Sequence, residues 1–361
     1  MRALRPLVIA LALLVILDLV LALPVARRSP RNLRISQIST QGLEEQADAM
    51  SVDDAVSIAV IGDSVVQGLL AKRNQTAPYY LDRVYQRSGR AIRAYNLGMS
   101  AAHGLELFAA TDRAVRKGHA DVVVLAFNYA FYGSSKTRAR YPWLYDDPSW
   151  LGTYADDPAI GRAVEAAAKG SDATSQAEKV AGASWRLYRT RGYWAAALFD
   201  GPPVTAIHDA VNELRARVAG TYREPAKLKP DELKGQELRR MFDVPELSLQ
   251  HEDARLFLES VELAHDSGAR VIVVVTPLNR TGLRYQRALD EARFARNLAW
   301  MKSEVEKRGG EFYDLSASFP EELIADSVHP LPAGYEEMAR LIAQRIEPAV
   351  RAAEIKSEAG R

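Results

Sequence analysis

The chain contains no cysteine in its 361 residues, and this absence removes two kinds of structure. Without thiols, the fold cannot be held by disulfide bonds, and no metal can be bound through thiolate ligands. The six histidines show no metal-ligand spacing of the His-Glu-x-x-His kind. We therefore expect no metal and no other cofactor. The absence of cysteine is compatible with an oxidising compartment but does not identify one.

An excess of charge of either sign is absent as well. The 47 basic and 46 acidic residues give a formal net charge of +1. Proteins that bind nucleic acid usually carry a basic patch that neutralises phosphate groups. We therefore expect no nucleic-acid partner. The hydrophobic fraction of 48% fits one ordinary core with an insertion.

One long apolar run lies near the N-terminus. Residues 7–25 are apolar except for Asp18, and basic residues flank them on both sides. A run of this length spans a bilayer with little tilt. We expect residues 1–28 to form an uncleaved, single-pass anchor. The alternative is a cleaved signal peptide, processed near Val20-Leu21-Ala22. An acidic side chain in a span is tolerated if it faces a partner helix or is protonated, so Asp18 points to a possible membrane-protein partner.

A candidate nucleophile follows the first apolar run after this segment. Residues 56–61 are short, apolar and rich in β-branched side chains, as expected of a strand buried on both faces. Gly62 then permits a sharp turn, so Ser64 lies at the carboxyl end of that strand, where open α/β sheets bind their ligands. Taken alone, Gly62-Asp63-Ser64 also fits a simple capped turn.

A candidate base and acid occur near the C-terminus, in Asp326-Ser327-Val328-His329-Pro330. Their spacing of three lets the carboxylate accept a hydrogen bond from His329 Nδ1 while Nε2 faces a serine. Pro330 favours an extended conformation at His329 and so keeps it out of the helix that follows. A serine needs such partners to act as a nucleophile at neutral pH. We therefore predict that Ser64, His329 and Asp326 are catalytic.

These two motifs resemble the first and fifth blocks of the SGNH, or GDSL-type, hydrolase superfamily, in particular its membrane-anchored bacterial envelope members. Residues 95–101, Tyr-Asn-Leu-Gly-Met-Ser-Ala, are similar to the second block, and residues 125–129, Leu-Ala-Phe-Asn-Tyr, are similar to the third. The resemblance implies that the N–H groups of Ser64 and Ala101 and the side chain of Asn128 stabilise an oxyanion.

The middle blocks depart from the family pattern at two positions. The family's second-block glycine falls at Ala101 in this chain, and Gly98 is the alternative position for it. A backbone donor does not require glycine, so the chemistry is retained with either assignment. In the third block, Tyr129 replaces the Asp that usually follows the Asn.

Apolar runs alternate with helix-like stretches through the rest of the chain, which predicts a parallel sheet covered on both faces. We expect an α/β fold, a three-layer flavodoxin-like domain over residues 55–353 with about five parallel strands. Residues from about 134 to 250 should be a helical insertion, because a structureless loop of that size is implausible in a compact domain. Residues 29–54 are polar and aperiodic and predict a linker, and 354–361 predict a tail. The expected strands are 56–61, 92–97, 121–127, 270–276 and 311–315, and the expected helices are 77–88, 104–117, 252–267, 285–308 and 333–353.

The resemblance implies a serine esterase that acts on an ester-bearing envelope substrate, such as an acylated polysaccharide. With a glycan hydroxyl in place of water, the same residues would make an O-acyltransferase that modifies a cell-envelope polysaccharide. A non-catalytic assembly protein on the same fold is the third alternative, and the complete Ser-Asp-His set argues against it. The resemblance implies an inner-membrane protein with a periplasmic catalytic domain, whereas the basic residues that follow the span favour the cytoplasmic side.

Overall fold

The structure, a computed structural model, describes residues 41–133 and 235–359, together with residues 9, 12–16, 154 and 160. Among these residues there is no helix whose length and apolar character would let it cross a bilayer. The anchor predicted at residues 1–28 lies almost entirely outside the described residues. So does most of the predicted insertion, of which residues 154, 160 and 235–250 are described.

A five-stranded parallel sheet forms the centre of the described structure. Its strand order is β2-β1-β3-β4-β5, and each neighbouring pair is parallel. This is the order of a flavodoxin-like sheet, so the predicted parallel sheet of about five strands is confirmed. The strands are β1 (Val56–Gly62), β2 (Ile92–Gly98), β3 (Val122–Phe127), β4 (Arg270–Val275) and β5 (Glu311–Asp314).

The composition of the strands matches their position in the sheet. Every residue of β1 and β3 is buried, which explains their nearly continuous apolar sequence. β5 lies at one edge, is four residues long and is only partly buried. A short, polar edge strand offers little unpaired backbone to another chain.

Helices flank the sheet in two groups. Right-handed crossovers place the connection from β1 to β2 on one face and the connections from β2 to β5 on the other. Within residues 41–133 and 235–359 the helices are α1 (Gln41–Ser51), α2 (Ser64–Gln67), α3 (Ala77–Arg87), α4 (Gly104–Asp112), α5 (Gly235–Phe242), α6 (Glu252–Asp266), α7 (Arg280–Tyr285), α8 (Glu291–Lys307) and α9 (Pro332–Ala359). The contacts agree with this arrangement, since α3 packs against α9 and α4 packs against α6.

Helix α1 corrects the predicted linker at residues 29–54. Leu43, Ala47 and Met50 are buried, and their spacing places them on one face of the helix. Glu44 forms ion pairs with Arg113 and Lys117, at 2.9 and 2.5 Å, on the turn that continues α4. The apolar stripe is only three residues long, and the sequence around it is polar, so the helix is not apparent from composition.

Two helix boundaries also differ from the sequence prediction. The helix expected at 285–308 begins only at Glu291, as α8, because Arg287 adopts a left-handed backbone and the Asp290 side chain caps Arg293 N–H at 3.0 Å. Residues 280–285 form the separate short helix α7. Helix α9 continues through most of the predicted tail. Arg90 binds both Glu347 and Glu354, two turns apart, and so ties this extension to the domain.

Candidate active site

Ser64 is the first residue of the short helix α2, directly after β1, as the sequence predicted. Asp63 caps this helix, because its Oδ1 accepts the Val65 N–H at 2.8 Å. The turn needs glycine at position 62, since a Cβ there would lie 2.4 Å from Val66 Cγ2. Ser64 is buried and lies at the positive end of a short run of aligned peptide dipoles.

The structure brings Ser64, His329 and Asp326 together in one chain of hydrogen bonds. Ser64 Oγ lies 2.8 Å from His329 Nε2, although 265 residues separate the two in sequence. On the other side of the ring, His329 Nδ1 lies 2.6 Å from Asp326 Oδ2. A carboxylate can only accept, so Nδ1 carries the proton and the Ser64 hydroxyl donates to Nε2.

The Asp326 carboxylate is held as an anion. Its Oδ1 accepts the backbone N–H groups of Val328 and His329 at 2.8 and 2.7 Å. Burial acts to raise the pKa of Asp326, but the hydrogen bond and charge of His329 and these two N–H groups outweigh it, and the pKa lies below its ordinary value. Asp326 can therefore fix the orientation of the imidazole across the neutral pH range.

Asn279 holds the loop that carries the base and the acid. Its Nδ2 donates to the Asp326 carbonyl at 3.2 Å, and its backbone N–H donates to the Ser327 carbonyl at 3.0 Å. Ala325 N–H also donates to the His329 carbonyl at 2.8 Å, which closes the loop on itself. Asn279 thus fixes the loop to the end of β4. No local pattern in the sequence predicted this contact.

Asn128 lies directly after β3 and faces Asp63. Its Nδ2 donates to Asp63 Oδ2 at 2.5 Å, and its Oδ1 accepts the Ala130 N–H at 3.2 Å. A side-chain amide has two N–H groups, so one remains for another acceptor. Burial raises the pKa of Asp63, and the hydrogen bonds from Val65 and Asn128 and the charges of His329 and His103 oppose that rise.

Ala101 adopts a left-handed backbone conformation, with φ of +55°. Within the described part of the chain, neither its N–H nor that of Ser64 has a hydrogen-bond acceptor. The segment that ends at Ala101 lies against the nucleophile turn, because Met99 N–H donates to the Gly62 carbonyl at 2.9 Å. Both N–H groups therefore remain available to an acceptor.

Gly98, the alternative position for the second-block glycine, has a different role. Its N–H already donates to Asn96 Oδ1 at 2.9 Å, so this group is not free for an oxyanion. A Cβ at this position would lie 2.2 Å from the backbone nitrogen of Gln67. Glycine is required here because the end of β2 passes close to helix α2.

Tyr129, which stands where the third block usually has Asp, packs into the protein. Its hydroxyl accepts a hydrogen bond from Asn297 Nδ2 at 3.0 Å, and its ring contacts Phe294 edge to face. The same Asn297 amide donates to the Pro245 carbonyl at 2.8 Å. Tyr129 therefore joins the turn after Asn128 to α8.

A small cavity of about 10 Å³ lies behind Asn128, lined in part by Asp63, His103 and Asp253. It has the volume of about one water molecule and cannot admit a substrate. His103 is buried beside it, with Nδ1 3.8 Å from Asp253 Oδ2. His103 is thus an electrostatic neighbour of Asp63 and does not contact Ser64 through any hydrogen bond in the described structure. Among the described residues, no group of three or more His, Asp or Glu side chains is arranged to hold a metal ion.

Comparison with known proteins gives matches to solved structures. No protein-family model and no curated protein matches the chain. A lipase/acylhydrolase from Enterococcus faecalis is 14% identical, with 81% of this chain and 95% of that chain covered and a TM-score of 0.38. A GDSL-like lipase from Bacteroides thetaiotaomicron is 12% identical, with 81% and 89% covered and a TM-score of 0.35. A catalytic variant of an acetylxylan esterase from Geobacillus stearothermophilus is 13% identical, with 82% and 96% covered and a TM-score of 0.39.

We predict that Ala101→Gly stabilises the protein by about 0.5–1 kcal/mol. Glycine relieves the strain of a left-handed alanine, and the greater entropy of the unfolded chain offsets part of that gain. The measurement is the free energy of unfolding in urea. Ala299→Gly, in the exposed middle of α8, is the matched control and should destabilise by about 0.5–1 kcal/mol. Equal destabilisation by both changes would contradict the left-handed conformation.

Proposed function

We propose that this protein is a serine ester hydrolase of the SGNH type. The observation that carries the proposal is the unbroken hydrogen-bonded chain from Ser64 through His329 to Asp326 at the carboxyl edge of a parallel sheet. A nucleophile, a base and an orienting acid in this order are the parts that acyl transfer requires.

In the proposed reaction, Ser64 Oγ bonds to the acyl carbon of an ester as its proton passes to His329 Nε2. The carbonyl oxygen becomes an oxyanion, which the N–H groups of Ser64 and Ala101 and the free N–H of Asn128 stabilise. The bond to the alcohol oxygen then breaks, and His329 returns the proton to that oxygen. A water molecule attacks the acyl-enzyme in the same way, which releases the acid and restores Ser64.

A purely structural role for the triad is less favourable on physical grounds. Asp326 is kept ionised although it is largely removed from water, and several hydrogen bonds are needed to hold it so. A non-catalytic assembly protein has no use for an anion placed behind a histidine that faces a serine. The arrangement therefore favours an enzyme over a binding module.

We further propose that the substrate is an ester of the cell envelope, such as an acylated polysaccharide. The apolar run at residues 7–25 supports a membrane anchor, and the sequence resemblance supports a periplasmic catalytic domain in an inner-membrane protein. Transfer of the acyl group to a glycan hydroxyl, rather than to water, is the second candidate reaction. The same residues would carry it out, since only the acceptor differs.

Ser64→Ala should lower kcat for ester hydrolysis by about 10³-fold or more, because the nucleophile is lost while the oxyanion donors remain. Ser327→Ala is the matched control, since Ser327 is also buried but its hydroxyl has no part in the proposed chain. Intact mass after exposure to an acyl ester should reveal an adduct in the wild type and none in Ser64→Ala. Full activity in a folded Ser64→Ala protein would exclude the triad.

The same adduct distinguishes hydrolysis from transfer. An acyl group on Ser64 that disappears in water alone identifies an esterase. An acyl group that persists in water and disappears only when a carbohydrate acceptor is added identifies an O-acyltransferase.

Asn128→Ala should lower kcat by about 10²- to 10³-fold with little change in KM, because an oxyanion donor acts mainly in the transition state. Asn297→Ala is a suitable control. It also removes a buried amide that holds the turn after Asn128, so it should reduce stability while leaving kcat within a few-fold. A rise in KM alone for Asn128→Ala would make Asn128 a substrate-binding residue.

The orientation of the domain can be measured with two C-terminal fusions to the full-length chain. One reporter is active only outside the cytoplasm and the other only inside it. We expect a signal from the outside reporter alone, although the basic residues after the span favour the opposite orientation. A signal from the inside reporter alone would overturn the periplasmic assignment and the envelope substrate, and would leave a membrane-tethered cytoplasmic esterase.

A further inference from the structure

A second concave site lies on the same side of the protein as Ser64. It is an open groove of about 590 Å³ between the end of α5, the turn that joins α7 to α8, and the start of α8. This volume falls within the range of ordinary ligand sites. We call it the arginine groove, because five arginines line it: Arg239, Arg240, Arg284, Arg287 and Arg293.

One wall of the groove is joined to the turn that follows Asn128. Helix α5 packs against residues 129–132, and a Cβ on Gly133 would lie 2.1 Å from the Met241 carbonyl oxygen. The Tyr129 ring contacts Phe294, the residue after Arg293 on α8, edge to face. This wall therefore packs against the turn that begins one residue after the proposed oxyanion donor, Asn128.

The opposite wall is joined to the loop that carries His329. Asn279, which holds the Asp326 and Ser327 carbonyls, is also the N-cap of α7 and accepts the Gly282 N–H at 2.8 Å. Arg284 lies on that helix and Arg287 on the turn after it. One wall of the groove thus packs against the segment that follows β3, and the other wall belongs to the segment that follows β4.

The charges of the described residues that line the groove do not cancel. Among these residues the acidic ones are Asp243 and Asp290, and both pair with Arg293, at 3.1 and 3.6 Å. Outside the lining, Arg284 pairs with Glu291 at 2.6 Å. Arg239 and Arg287 are exposed and form no ion pair with any described residue. Two guanidinium groups therefore face the groove without a carboxylate partner in the described structure.

Favourable interactions with helix dipoles do not account for all of these arginines. A cation in the last turn of α5 stabilises that helix through its dipole, which explains one charge at Arg239 or Arg240. It does not explain Arg287, which lies in a turn and is in no helix. Charges of one sign that line a concavity repel one another and attract ions of the opposite sign.

We propose that the arginine groove binds an anionic group, a carboxylate or a phosphate, carried by the acyl-bearing polymer that reacts at Ser64. The planar guanidinium group binds either oxyanion through two parallel hydrogen bonds. The inference rests on the proposed function for the identity of the bound molecule. It concerns binding only, and so it can be tested without turnover.

The experiment measures binding of unesterified ligands to the full-length chain by calorimetry. The probes are inorganic phosphate, an oligogalacturonate, and an uncharged oligosaccharide of the same length. We expect one of the two anionic probes to bind and the uncharged probe to bind at least about tenfold more weakly. The affinity should fall as salt is added.

The test variant is Arg239→Gln with Arg287→Gln, and both positions are exposed, so the fold should be retained. The matched control is Arg83→Gln with Arg87→Gln, which removes the same charge from exposed positions on α3, remote from the carboxyl edge of the sheet. We expect at least about tenfold weaker binding in the test variant and less than twofold change in the control. Arg239→Lys with Arg287→Lys keeps the charge and should give an intermediate loss, because lysine lacks the planar pair of donors.

The outcomes show which kind of polymer carries the anion. They also distinguish a failure of this proposal from a failure of the proposed function. Binding of the oligogalacturonate alone identifies a uronic-acid polymer, and binding of phosphate alone identifies a phosphate-bearing one. No binding of either probe, or an equal loss in the test and control variants, overturns the proposal. If the protein binds an anionic probe through these arginines but Ser64→Ala does not affect ester hydrolysis, the groove stands and the proposed function fails.

Discussion

The candidate active site depends on the hydrogen bonds that the buried Asp63 carboxyl group accepts. One of its oxygens accepts the Val65 N–H and so sets the turn that presents Ser64, and the other accepts the Asn128 amide. One carboxyl group therefore joins the end of β1 to the end of β3. Burial makes its charged form costly and raises the pKa of Asp63, and the two hydrogen bonds and the nearby histidines offset part of that cost. Without this carboxyl group, both the nucleophile turn and the amide would lose their common partner.

The parallel sheet brings the residues of the candidate active site together. All five strands point in one direction, so the residues after β1, β2, β3 and β4 meet at one edge. Ser64, Ala101, Asn128 and Asn279 follow these four strands in turn. The His329 loop is then attached through Asn279 rather than through a strand of its own. The arginine groove lies near the same edge, since one of its walls packs against the turn after β3 and the other follows β4.

The differences between prediction and structure have a common cause. Helix α1 is fixed by three buried side chains and by ion pairs to residues about seventy positions away, which a local pattern does not contain. Gly98 is explained by the close approach of another element, and its N–H is committed to Asn96. Tyr129 departs from the family pattern, yet Asn297 gives its hydroxyl a partner. Each case depends on a neighbour that is distant in the chain.

The sequence by itself determined the α/β class, the strands to within about one residue at most ends, and the choice of Ser64, Asp326 and His329 as candidates. These predictions used local features: hydrophobic periodicity, a Gly-Asp-Ser turn and a three-residue Asp-His spacing. Local features can be recognised in the sequence without knowledge of the fold. Only the tertiary structure decided that Ser64 Oγ and His329 Nε2 lie 2.8 Å apart, that Asp63 holds Asn128, and that five arginines line one groove. Those arrangements depend on strand order and helix packing, which bring together residues that the sequence separates by as many as 265 positions.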